Sequence, residues 1–178
     1  RQPIALELPA GQAVKFQTML HQTWQTTLKQ LERRFTAETY HNRIEAIRQQ
    51  TGDVQQQALI ELTQEGEELD LKLISRNDEH CFIPVQYVDD KVLEMTQADI
   101  NALSSKERSE INANIRHMDK KLERLGMHLG DLEEDARDKV QVLNRDIAKQ
   151  VLLPKVEQLL TKFAEVEGLK DYLKYYAE

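Results

Sequence analysis

One cysteine, four prolines and six glycines among 178 residues leave this chain little material for staples, kinks and tight turns. With Cys81 alone, no internal disulfide can form, and a zinc site of the cysteine-rich type lacks its thiolates. Such sparing use of cysteine fits a reducing compartment, and the cytoplasm is expected. Aromatic residues make up only 6 % of the chain. Together with so few Gly and Pro, that balance favours long helices over a compact β-rich core with many turns. No apolar run approaches the roughly 20 residues needed to cross a bilayer, so no membrane is expected as a partner. The opening carries no apolar signal-peptide pattern. Because the first residue is Arg1 rather than Met, an internal segment of a longer protein is expected.

Positive charge is also short, since the net charge is −7. A protein that grips a phosphate backbone needs a basic stripe to displace counterions, and no nucleic acid is therefore expected as a partner. The basic residues that exist alternate with acids, as in Lys120, Lys121, Glu123 and Arg124, the pattern of a solvated helix face.

Sequence motifs of catalysis are missing too. There is no Gly-x-x-x-x-Gly-Lys-Ser/Thr loop to cradle phosphates, no Gly-x-Ser-x-Gly elbow and no His-Glu-x-x-His. The five histidines, His21, His41, His80, His117 and His128, never fall at the i, i+4 spacing of a helical metal site. His80 and Cys81 are the one adjacent pair of soft ligands, and a strand position beside a turn accounts for them better than a metal or redox site does. Carboxylates cluster at Glu61, Glu65, Glu67 and Glu68 and again at Asp131, Glu133, Glu134 and Asp135. Without a cleft to raise one pKa, these are solubilising charge. No catalytic, cofactor-binding or metal-binding residue is therefore assigned to the chain.

What remains is periodicity. Residues 1–10, with alternating apolar and polar positions between Pro3 and Pro9, read as a leading strand or linker. Residues 11–68 read as a helical hairpin. Phe16, Leu20, Trp24, Leu28, Leu31 and Phe35 form one helical stripe, and Tyr40, Ile44, Ile47, Val54, Ala58 and Leu62 a second. Thr36 is the expected N-cap between them, with Glu38 in the following first turn. Two such helices with a minimal connection are expected to fold back antiparallel.

From Leu69 the period changes to two. Residues 69–95 predict a small β unit of two or three strands, turning at Asn77-Asp-Glu and Asp89-Asp. Pro84 cannot donate to a ladder, which puts its strand at an edge or interrupts it. For Phe82 and Tyr87 in this unit packing against the helices is the expectation; the other reading makes Phe82, Ile83 and Tyr87 contacts for an unfolded polypeptide.

Residues 96–167 predict a short helix capped by Thr96 with Asp99, then a long helix opened by Ser104 with Glu107 at capping-box spacing. The stripe of that long helix runs Ile111, Ile115, Met118, Leu122, Leu125, Leu129, Leu132, Ala136, Val140, Leu143, Ile147 and Val151. It is nearly a heptad, with a skip at Ala136, and extends for about 60 Å at the usual helical rise. Gly126 and Gly130 inside it mark either a hinge or close helix contact, or tolerated surface positions. Pro154 predicts a kink near 151–153. Gly168 is expected to end the helix, and residues 168–178 to begin another. The fold class is thus mainly α, with long antiparallel helices forming a coiled-coil arm and a small β unit.

Four stretches, taken in order, resemble a known family. They are Ile4 to Gly11 followed by a polar helix with Phe16; Tyr40-x-x-Arg43 leading a long helix; Met95 to Asp99 with Leu103 to Arg108; and Leu132 to Ala148, continuing to Pro154 and Tyr172-Leu173. In this order they resemble the helical insert of the AAA+ module in Lon-like ATP-dependent serine proteases of the LonB/LonC-like branch. One departure is Leu153 before Pro154, where related sequences carry glycine. The resemblance implies a parent endopeptidase that uses ATP and magnesium, assembles as a hexameric ring and acts on protein substrates. Its nucleotide-binding motifs and Ser-Lys dyad would lie outside this segment, which would contact or gate substrates without cutting them. The alternative is a free-standing coiled-coil scaffold or adaptor that binds another protein.

Overall fold

The computed structural model describes residues 6–76, 79–89 and 91–177. It is mainly α-helical with one small antiparallel sheet. The elements are α1 (Ala13–Phe35), α2 (Glu38–Glu67), β1 (Leu71–Arg76), β2 (Glu79–Val88), β3 (Lys91–Glu94), α3 (Gln97–Ala102), α4 (Ser105–Lys162) and α5 (Leu169–Ala177). Two compact units divide the chain, one of Arg1–Ile47 with Arg137–Glu178, the other of Arg48–Ala136. Among the described residues no helix is long and apolar enough to cross a membrane.

In the first unit, α1 packs on the end of α4 and on α5. Phe16, Leu159, Phe163, Val166, Leu169 and Leu173 form its core, with Leu6 and Leu8 of the irregular leading segment laid against it. The rings of Phe16 and Phe163 meet edge to face at 5.0 Å, worth about 0.5–1.5 kcal/mol beyond the area they bury. Further along, Phe35 meets Tyr40 at 5.2 Å, and the Tyr40 hydroxyl donates to Asn144 Oδ1 at 2.9 Å. Arg43, Ala46 and Ile47 then border a shallow groove with Lys139, Val142, Leu143 and Asp146. As the chain climbs from Phe16 to Ile47, its partners in α4 therefore descend from Phe163 to Lys139. Within this unit the start of α2, up to Ile47, lies along α4. Apolar stripes specify that a helix needs a partner, but not which one, and α4 supplies the longer complementary seam.

Two local readings are corrected in this unit. Thr36 does not cap α2; it ends α1, its hydroxyl donating to the Glu32 carbonyl at 2.8 Å. Helix α4 stops at Lys162, six residues before Gly168, whose φ of +77° instead marks the start of α5. That helix is held by Leu169 and Leu173, both almost wholly buried. Pro154 lies inside α4, and the helix continues across it. Leu153 beside it is 46 % exposed.

In the second unit, α2 runs antiparallel to the first half of α4. Glu65 and Lys121 form an ion pair between them, and Leu62 meets Met118 in a core completed by Leu71 and Phe82. The α4 stripe is buried or half-buried at every predicted position in both units. Both capping boxes are present as well. The Thr96 backbone N–H donates to Asp99 Oδ2 at 2.8 Å, and Asp99 N–H donates to Thr96 Oγ1 at 3.3 Å. Ser104 N–H donates to Glu107 Oε2 at 2.8 Å, and Glu107 N–H donates to Ser104 Oγ at 3.3 Å.

The sheet has the order β1-β2-β3, both pairs antiparallel. Pro84 therefore sits in the central strand, at the point where β1 pairing gives way to β3 pairing. Leu71 is opposite Pro84, and Val85 is opposite Glu94. The physical reason is visible in two hydrogen bonds. Val85 N–H donates to the Asp70 carbonyl at 2.9 Å, on the β1 side, while Met95 N–H donates to the Pro84 carbonyl at 3.0 Å, on the β3 side. A residue's N and O point the same way in an antiparallel ladder. The donor that Pro84 lacks would have pointed past Glu94, beyond the end of β3. The turn read at Asn77-Asp78 lies outside the described residues, as does Asp90 of the second turn.

Candidate interaction surface

The chemistry-bearing residues do not converge. Among the described residues, no group of three or more His, Cys, Asp or Glu is placed to hold a metal ion. His80 is exposed and Cys81 half-buried, opposite Ser75 and Ile74 of β1. Two carboxyls are held below the ordinary carboxylate range, and neither lies in a cleft. Hydrogen bonds from the hydroxyl and then the backbone N–H of Thr96 lower Asp99, and Ser104 does the same for Glu107. Helix capping, not catalysis, accounts for both.

Candidate contact residues separate sharply within one strand. Phe82 is only 3 % exposed, and its ring fills the notch that Gly66 leaves on α2. A Cβ at Gly66 would collide with that ring. Phe82 is thus a packing residue, the expectation for it, and burial against the helices removes it from solvent as a substrate contact. Ile83 is half-buried. Tyr87 alone of the three is open to solvent, at 59 %.

Around Tyr87 the structure gathers residues that periodicity did not single out. Val88 is 43 % exposed, Val92 49 % and Leu93 45 %. Tyr87 stands opposite Val92 on one face of the β2–β3 ladder. On the other face, Val88 and Leu93 are diagonal neighbours, since Val88 pairs with Lys91 and Gln86 with Leu93. The sequence signal was present in Lys91-Val-Leu-Glu, where two adjacent apolar residues break the alternation of a half-buried strand. Among the described residues strand β3 is the last of the sheet, and its outer edge has no strand partner.

Two apolar grooves lie among the described residues. In the first unit, Leu20, Trp24, Thr27, Val156, Leu159 and Leu173 line about 350 Å³, with His21 and Lys155 at the margin. Trp24 is half exposed there, whereas Thr27 is buried with its hydroxyl donating to the Thr23 carbonyl at 2.8 Å. In the second unit, Leu59, Cys81, Leu122, Leu125 and Leu129 line about 580 Å³, with Asp119 and Glu123 beside them. Gly126 borders this groove, and a Cβ added at Gly126 or Gly130 would meet nothing within 4 Å. Among the described residues these glycines therefore mark no close helix contact. No protein-family model matches the chain, and no match was found among curated proteins or solved structures.

Proposed function

We propose that this chain is the non-catalytic helical insert of a Lon-like ATP-dependent protease, and that the β2–β3 hairpin contacts its protein substrates. The four ordered stretches of resemblance support the family reading. The observation that carries the substrate role is the hairpin itself, where Tyr87, Val88, Val92 and Leu93 stay exposed beside an unpaired strand edge. Extended polypeptide can add to such an edge through main-chain hydrogen bonds, with side chains read on either face. In this reading ATP, magnesium and the peptidase dyad belong to other parts of a cytoplasmic, ring-forming enzyme, and the insert handles substrates without cutting them.

The test is made in the full-length protease with Tyr87→Ser, Val92→Ser and Leu93→Ser combined, which leaves the Phe82 core intact. Degradation of an unfolded protein should slow severalfold while cleavage of a short, freely diffusing peptide is unchanged. Equal turnover of the unfolded protein would remove the substrate role.

A second reading, a scaffold or adaptor for another folded protein, is favoured by the groove beside the half-exposed Trp24. In that case Trp24→Ala would abolish partner binding, and the hairpin substitutions would not.

A further inference from the structure

The β3 edge has an order of charges and apolar residues that specifies what it would take. Because Met95 N–H bonds to Pro84 on the β2 side, the alternation of the ladder turns the backbone groups of Leu93 and Lys91 toward β2 as well. Val92 and Glu94 then turn their N–H and C=O groups outward, to the open edge. Val92 projects from one face and Leu93 from the other, both about half exposed. Lys91 and Glu94 close the strand at its two ends, Glu94 already touching Arg76 at 3.4 Å.

We propose that the free edge of β3 captures extended polypeptide segments ordered basic, apolar, apolar, acidic, paired antiparallel. This rests on the hairpin as a substrate contact and adds the class of segment it selects. In that pairing the basic residue faces Glu94 and the acidic residue faces Lys91. The two apolar residues lie beside Leu93 and Val92, on opposite faces of the sheet. A strictly alternating amphipathic strand leaves one of these apolar side chains against a polar partner. Consecutive apolar residues are typical of strands buried on both faces, the parts of a protein that are exposed only on unfolding. Four residues make a short edge, so the contact is weak and exchanges fast, as suits a surface that passes substrates on.

The experiment titrates the full chain into labelled ten-residue peptides and follows fluorescence anisotropy. A peptide with Lys-Val-Val-Glu at its centre should bind at least tenfold more tightly than the same residues as Val-Lys-Val-Glu or Glu-Val-Val-Lys. N-methylation of the second valine, which faces Val92 and donates to its carbonyl, should abolish binding. N-methylation of the first valine, whose N–H points away from β3, should leave it. Val92→Lys with Leu93→Lys should reduce binding at least tenfold with the circular dichroism spectrum unchanged. Equal affinity for the reordered peptides, indifference to which valine is methylated, or a dimer of the chain that the double variant dissociates would each overturn the proposal. The N-methyl comparison leaves the protein unaltered, so it stands even if the double variant misfolds. Peptide capture is measured without any protease, so its failure is distinct from unchanged degradation by the full-length enzyme.

Discussion

The two halves of the sheet share a strand and differ in almost everything else. Where β2 pairs with β1, Leu71 and Phe82 are buried under α2 and α4; where it pairs with β3, Tyr87, Val88, Val92 and Leu93 face water. Composition does not separate the halves, because both are rich in β-branched, leucine and aromatic side chains. The difference is what stands behind them. Gly66 opens a notch in α2 for the Phe82 ring, and nothing equivalent receives Tyr87. One half is a foundation, the other a display.

Substitutions can break this contrast, beginning with the largest effect. Phe82→Ala removes the knob that seats β2 and should cost about 3–5 kcal/mol in a denaturant titration. Gly66→Val attacks the same contact from α2 and should cost about 1–3 kcal/mol through overpacking, because the buried ring has no room to retreat. Gly126→Ala is the counterpart on α4: with open space around the new methyl, helix propensity should raise stability by up to about 1 kcal/mol. Val92→Ser and Tyr87→Ser should each shift stability by less than about 0.5 kcal/mol, the ordinary range for exposed positions. A large loss from either would show that the displayed half is structural after all.

The smallest effect is on acidification. Asp99 and Glu107 titrate below their ordinary values because Thr96 and Ser104 hydrogen-bond the charged carboxylates. A group whose pKa is lowered on folding contributes stability above its unfolded value and loses it as pH falls through the folded one. Unfolded values are near 3.8 for Asp99 and 4.5 for Glu107. The starts of α3 and α4 should therefore fray as pH drops from about those values downward, with the rest of α4 unchanged, as amide exchange at residues 97–108 would report.

Long-range repetition was legible in the sequence, and choice of partner was not. Every stripe position from Ile111 to Val151 is buried or half-buried as the heptad steps required. Both capping boxes formed because their bonds span only three residues. By contrast, Trp24 and Leu28 of the α1 stripe stay half exposed while Thr27 beside them is buried. A helical period locates an apolar face to within a residue or so, and tertiary packing then rotates it. Thr36 failed as an N-cap because its hydroxyl found the Glu32 carbonyl behind it first, an option open to any threonine after a helical turn. Of the exposed residues on β2 and β3, Tyr87 was a candidate contact for which packing was the expectation, and Val88, Val92 and Leu93 were not singled out, since exposure of an apolar strand depends on what covers it.

Pro84 makes the two ladders separable. Rungs toward β1 end at Val85, and rungs toward β3 begin at Pro84, so the ladders overlap by a single step. Insertions or replacements between Tyr87 and Val92 should leave the β1 ladder in register, making the outer hairpin an exchangeable cassette whose specificity can drift while its mounting stays the same.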